Sequence, residues 1–259
     1  MSSVYFFEKG SGQPVVLIHG FCEIGAMWED FAQELSQNFR VVCPDLPGFG
    51  NSPISQSHIS LEEVAVLLED FLEENGIQNP ILIGHSLGGY VALAMLELMG
   101  NKLKGIGLFH STAFADDAEK KQMRNRTIQF LKKFGAEKFV ISFVPPLFSE
   151  KHRAEFASEI EQATEQAKQS SLEGLIAFTE AMRDRTDRYE VLKSFQGPKL
   201  MIAGTEDGAV KIGASRKQKE AFTHYYELDG TGHMGMIEEK ERTLALVRNF
   251  LIESVQYSF

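Results

Sequence analysis

Apolar residues along this chain follow two spacings that take turns. Short runs rich in β-branched and apolar residues occupy 4–7, 15–18, 40–43, 81–83, 105–109, 199–203 and 225–228, which is the composition of β-strands. Several of these runs are apolar without alternation, as expected of parallel strands covered on both faces. Between them the spacing changes to that of helices. In 61–74, Leu61, Val64, Leu68, Phe71 and Leu72 share one face. Ser60 and Glu63 form a capping-box pattern ahead of it, and Asn75-Gly76 stops it. Further helices are expected over 27–35, 89–99 and about 239–253, the last with Leu244, Val247, Phe250 and Leu251 facing inward. Strands alternating with helices predict an α/β fold, with a mostly parallel central sheet flanked by helices.

The alternation stops between about 113 and 196. That stretch reads as helical, is divided by Pro145-Pro146, and offers at most one strand-like run, 139–144. It is expected to be a helical cap inserted into a core domain made of 1–112 and 197–259. The charge-rich part of it, 150–168, reads as a solvated helix face.

Composition narrows the picture. The 259 residues are 43% hydrophobic and 24% charged, with a formal net charge of −10. A core of normal size can be buried without disulfides or a structural metal. The acidic balance argues against nucleic acid, which needs clustered Lys and Arg. No apolar run is long enough to span a bilayer. The segment MSSVYFFEKG lacks the features of a signal peptide, so a cytoplasmic location is expected. Cys22 and Cys43 are too few and too isolated for a disulfide framework or a zinc site. They read as small packed side chains, with a reactive Cys22 kept open.

Chemistry concentrates at Gly84-His85-Ser86-Leu87-Gly88. The pattern G-x-S-x-G is weak alone, but here a strand-like NPILI precedes it and a helix-like GYVALAMLEL follows. That strand–turn–helix context is what an exposed, backbone-strained serine nucleophile requires. Glycines on either side let neighbouring segments pass close to the turn.

Taken with VVLIHGF (15–21), PDLPGFGNS (44–52), GTED (204–207) and Gly232-His233, the segment GHSLGG (84–89) resembles the ordered motifs of the α/β-hydrolase superfamily, and in particular its capped serine hydrolases such as small carboxylesterases. The resemblance covers nearly the whole chain outside the 113–196 stretch. It implies a Ser-acid-His chain order with Ser86 as nucleophile. His233, in the turn Asp229-Gly230-Thr231-Gly232-His233 before the last helix, matches the family's general base. Asp207 matches the acid that closes G-x-x-D. Glu206 competes with it, but its side chain should point away and be solvated. The alternative acid position after the preceding strand holds His110, Ser111 and Thr112, with no carboxylate until Asp116. The backbone N–H groups of Phe21 and Leu87 are implied as the oxyanion donors.

Other residues read more plainly. His19 ends a strand and should support the oxyanion loop, and His85 should be structural or pocket-lining. Trp28 reads as packing, and Asp45 and Gly48–Gly50 as turn residues. Some of the phenylalanines at 130, 134, 139, 143, 148 and 178 should form an apolar acyl pocket. Arg124, Arg126 and Arg183 could reach a carboxylate on a substrate, but read better as solvated. Only one strand-like run precedes Val15, so the sheet should have seven strands or eight.

The resemblance implies a hydrolase that cleaves a small carboxylic ester with an apolar acyl group through an acyl-enzyme. No metal, organic cofactor or obligatory protein partner is implied. Carbon–carbon bond hydrolysis, cofactor-free perhydrolysis and a non-catalytic receptor role stay open.

Overall fold

The computed structural model describes residues 4–54 and 58–257. Seven strands form one sheet: β1 (Phe6–Lys9), β2 (Gln13–Ile18), β3 (Phe39–Pro44), β4 (Ile81–His85), β5 (Gly105–Phe109), β6 (Lys199–Gly204) and β7 (His224–Leu228), in the order β1-β3-β2-β4-β5-β6-β7. All neighbours pair in parallel except β1, which runs antiparallel to β3 with Phe6 opposite Pro44. Seven is therefore the strand count among the described residues. The first strand begins two residues later than its apolar run suggested, because its start is set by where β3 offers partners rather than by composition.

Every residue of β4, β5 and β6 is buried, as continuous apolar runs covered on both faces should be. The helices around the sheet are α1 (Glu29–Leu35), α2 (Leu61–Glu74), α3 (Leu87–Met99), α4 (Ala118–Phe143), α5 (Ala157–Ala167), α6 (Leu172–Asp184), α7 (Tyr189–Ser194), α8 (Ile212–Lys217), α9 (Gly235–Glu238) and α10 (Lys240–Gln256). The capping box of α2 is formed: the Glu63 N–H donates to Ser60 Oγ at 3.1 Å, and the Ser60 N–H to Glu63 Oε2 at 2.7 Å. Helix α3 is apolar on nearly every side and buried from Leu87 through Leu96, which is the expected state of a helix without a polar face.

Helices α4 to α7 make a helical insertion between β5 and β6. The strand-like 139–144 proves to be the last turns of α4. Its aromatic and β-branched residues suit a strand, but Phe139, Val140 and Val144 are buried while Ile141 and Ser142 are exposed. That is a helical face rather than alternation, and Pro145-Pro146 then ends the helix. Gly135, at φ +82, breaks α4 into two pieces.

The insertion leaves and re-enters the core at one place. The Asp116 carboxylate, fully buried, lies 2.8 Å from Arg185 Nη1 and 3.1 Å from Arg124 Nε. Arg185 also donates to the Phe114 carbonyl at 2.9 Å and to the Met182 carbonyl at 2.7 Å. Its guanidinium lies 4.0 Å from the ring centroid of Tyr90 on α3. The Arg188 N–H donates to the Ala113 carbonyl at 2.8 Å, closing the two chain ends on each other. Arg124, read from sequence as solvated, is thus a clamp residue. Asp116→Ala strands Arg185 in a buried site without its counter-charge, and should lower unfolding stability by about 3–5 kcal/mol. Urea denaturation measures this, and an unmoved midpoint would count against the clamp.

Candidate active site

Ser86 sits between β4 and α3 with φ +50 and ψ −112, a conformation L-residues avoid. The flanking glycines explain how the turn is accommodated. A Cβ on Gly84 would lie 2.2 Å from the Gly88 backbone, and one on Gly88 2.3 Å from the Ile18 carbonyl. The Ser86 N–H donates to the Phe109 carbonyl at 2.9 Å, and Ser111 Oγ to the Ser86 carbonyl at 2.7 Å. The turn is therefore pinned from β5. Leu87 is the first residue of α3, so its N–H has no helical carbonyl behind it.

Asp207 follows β6 and His233 follows β7, and the fold brings them together. His233 Nδ1 donates to Asp207 Oδ2 at 2.8 Å. Both side chains are almost wholly buried. Asp207 Oδ1 accepts the N–H groups of Ala209 and Val210, each at 2.8 Å. Burial opposes ionisation of Asp207, but the charge of His233 and hydrogen bonds from His110 and His233 outweigh it, so its carboxyl lies well below the usual carboxylate range. Burial likewise opposes protonation of His233. The Asp207 carboxylate, with Glu23 and Glu238 adding to it, holds that imidazole above its ordinary value. An imidazole with Nδ1 engaged in this way has Nε2 left to take and return a proton.

Glu206 is exposed and turned away, with Ser149 Oγ and Lys151 as partners. Asp229 lies against Thr205 Oγ1 at 3.4 Å.

The loop after β2 is organised by a carboxylate that sequence reasoning passed over. Glu23, buried, accepts the Gly20 N–H and faces His85 Nδ1 at 2.9 Å. His85 Nε2 donates in turn to the His233 carbonyl at 3.0 Å. One string of buried contacts thus joins the Phe21 loop, the serine turn and the His233 loop. Burial works against the Glu23 carboxylate, but the charge and hydrogen bond of His85 draw its carboxyl below the usual value. His19 has the supporting role expected of it: its Nδ1 bonds the Gly20 carbonyl at 2.8 Å and its Nε2 accepts the Leu46 N–H at 2.8 Å. Asp45 accepts from Gly25 and Asn51, and Gly48 and Gly50 adopt positive φ, as turn residues should.

Glu238 was also missed. Its carboxylate accepts the N–H groups of Gly232 and Ser149, each at 3.1 Å, and secures the loop that carries His233. A third omission, His110, lies on Asp207 itself at 3.1 Å. The signal available for it was its place at the end of β5, one of the positions weighed for the acid. Cys22 is buried, and burial with the nearby Glu23 pushes its thiol well above the ordinary value, which makes it a poor nucleophile. His110, Asp207 and His233 are of metal-ligating type. Nδ1 of each histidine stands at hydrogen-bond distance from the same oxygen, Asp207 Oδ2, so the three side chains are accounted for by hydrogen bonding.

Phe21 packs edge-on against Phe49, Phe139 and Phe143, with centroids 5.7–6.1 Å apart. Phe49 also meets Phe178 at 5.3 Å. Of the insertion's phenylalanines, 139, 143 and 178 therefore face the core. Phe134, 42% exposed, pairs with the half-buried Phe130, which in turn meets Phe139 at 6.2 Å.

Comparison with known proteins agrees with this fold. Residues 13–240 match the family model described as the alpha/beta hydrolase fold. A pimeloyl-[acyl-carrier protein] methyl ester esterase of Vibrio campbellii is 26% identical over 96% of this chain and 98% of its own length. The corresponding Vibrio cholerae esterase is 45% identical over 93 residues, which span 36% of this chain and only 34% of that protein. Among solved structures, a thermophilic esterase from Thermogutta terrifontis superposes with a TM-score of 0.91 at 27% identity, over 97% of this chain and 93% of that one. No helix among the described residues is long and apolar enough to cross a membrane. The Ser86 turn, strand order, helical insertion and family match together place this chain in the α/β-hydrolase family.

Proposed function

We propose that the protein hydrolyses a small carboxylic ester with an apolar acyl group, through an acyl-enzyme on Ser86. The observation that carries this reading is the 2.8 Å bond from His233 to a buried Asp207 held on its other oxygen by two backbone N–H groups. Ser86 Oγ attacks the ester carbonyl and passes its proton to His233 Nε2. Asp207 keeps the His233 proton on Nδ1 and stabilises the imidazolium. The Phe21 and Leu87 N–H groups receive the oxyanion. His233 then gives its proton to the leaving alcohol, and afterwards takes one from the water that releases the acid. The esterase names of the relatives support an ester as the substrate class, and the buried, free cysteines suit a cytoplasmic location.

Residues 113–196 serve as the cap over Ser86, and the phenylalanines at 21, 49, 139, 143 and 178 form the apolar wall met by the acyl group. A panel of p-nitrophenyl esters of graded acyl length tests both points. Turnover should fall as the acyl chain lengthens. Equal or better hydrolysis of long-chain triglycerides would rule out a closed, small pocket. Absence of labelling by a fluorophosphonate probe would instead favour a non-catalytic receptor.

A further inference from the structure

His110 is a wholly buried imidazole that the mechanism above leaves without a task. It directly follows β5 with φ +49, a strained setting for a non-glycine residue. Its N–H continues the ladder to the Ile202 carbonyl at 2.8 Å. Its Nδ1 lies 3.1 Å from Asp207 Oδ2, the oxygen that already holds His233. Its Nε2 has no hydrogen-bond partner among the described residues. It lies so close to α9 that a Cβ on Gly235 would stand 2.3 Å from it.

A core position filled only for packing would be better served by leucine, since a buried nitrogen without a partner costs free energy. What the imidazole supplies here is Nδ1–H. The other tautomer would turn a lone pair on Nδ1 toward the Asp207 charge. It would accept only the Gly204 N–H at 3.3 Å, and would bury an Nε2–H with nothing to bond. Burial also pushes the His110 imidazole down to about 4, against the hydrogen bond and charge of Asp207, so the ring is neutral and carries one proton.

Resting on the Ser86–His233–Asp207 reading, we infer that His110 is a positioning residue which donates from Nδ1 to the catalytic carboxylate and shares Oδ2 with His233. A carboxylate offers about four lone-pair sites, and with His110 all four are taken: two by ring N–H groups and two by the N–H groups of Ala209 and Val210. The carboxylate can then neither rotate nor pick up a proton readily. Its pull on His233 is moderated, because a second donor draws on the same oxygen. The groups facing this centre are His85 at the end of β4, Asp207 after β6, His233 before α9, and, acting on His233, Glu23 and Glu238.

The test compares His110→Leu with His110→Asn. The two side chains are nearly isosteric, but Asn can place an N–H donor where Nδ1 stood, and Asn tolerates positive φ. Without the donor, Oδ2 serves His233 alone and stabilises its imidazolium more. The acid limb of kcat/KM on a p-nitrophenyl ester should therefore move to higher pH in His110→Leu, by about half a unit or more. Its kcat should fall about 3- to 10-fold, the equivalent of one ordinary hydrogen bond. His110→Asn should restore the limb. An unmoved limb in folded His110→Leu, or a folded His110→Asn that behaves like Leu, overturns the inference.

A second arm needs neither a variant nor a substrate. In 15N-histidine spectra of the unmodified protein, His110 should remain neutral with its proton on Nδ1 from pH 5 to 9. A proton on Nε2, or an imidazolium at neutral pH, overturns the inference even if both variants fail to fold. Loss of the broader functional reading would show differently, as a wild-type protein that neither hydrolyses esters nor takes the fluorophosphonate label while the His110 tautomer stays as stated.

Discussion

Ser86→Ala should leave the protein folded and lower ester turnover by about 10⁴-fold or more, the scale of loss seen when a triad member is deleted. The substitution removes one oxygen and keeps the Cβ, so the φ +50 turn faces no new collision. The Ser86 N–H bond to Phe109 and the Ser111 bond to the Ser86 carbonyl both use backbone groups of residue 86 and survive. What disappears is the atom proposed to form the acyl bond. Any residual rate would come from binding and from the Phe21 and Leu87 N–H groups acting on a water-borne attack. Fluorophosphonate labelling should vanish while circular dichroism is unchanged, and a folded Ser86→Ala that still labels would move the nucleophile elsewhere. Gly84→Ala makes the control, because its new Cβ meets backbone at 2.2 Å and should impair folding itself.

Asp207→Asn should cost roughly 10³–10⁴-fold in kcat, as in the serine-protease example of the same change. An asparagine has one acceptor and one donor group where the carboxylate has two acceptors. If its NH₂ faces His233, that ring is driven to carry its proton on Nε2, where the serine proton must go. If the amide flips, the NH₂ meets the N–H groups of Ala209 and Val210 instead, which now lie 2.8 Å from a carboxylate oxygen. Neither orientation is free of conflict. Glu206→Gln, by contrast, changes an exposed side chain bonded to Ser149 and Lys151, and should be nearly silent. Steady-state kinetics of both variants, with circular dichroism as the folding check, decides the matter. A crippled Glu206→Gln beside an active Asp207→Asn would reverse the assignment.

The parts of this molecule that could be read from sequence are those whose physical requirement is local. GHSLGG announces itself because a serine turn with two glycines pressed against neighbouring backbone needs those residue types at adjacent positions. The apolar runs of β4, β5 and β6 are legible because both faces are buried. Position 139–144 misled because aromatic and β-branched composition says how bulky a segment is and not which period its burial follows. His110 and Asp207 are 97 residues apart, and His85 and Glu23 are 62 apart. Those meetings are made by strand order at the carboxyl edge of the sheet, and nothing in the neighbouring residues of any of the four records them. The clamp on Asp116 was hidden for the same reason: Arg124, which looks solvated taken alone, becomes structural when it and Arg185, from opposite ends of an insertion, converge on one carboxylate.

That convergence has a bearing on how the protein can vary. The chain goes out after Ala113 and comes home at Arg188 through a doorway a single 2.8 Å hydrogen bond wide, so the spacing of β5 and β6 does not depend on how long the excursion is. Lengthening such a detour adds little closure entropy, since that cost grows only with the logarithm of its length. The core and its helical insertion are therefore separable modules joined at a sill of Asp116, Arg185 and Arg188. An insertion of another size or lining could be exchanged at that sill, redrawing, on the reading proposed above, which acids fit beneath it, while Ser86, His233 and Asp207 stay where they are.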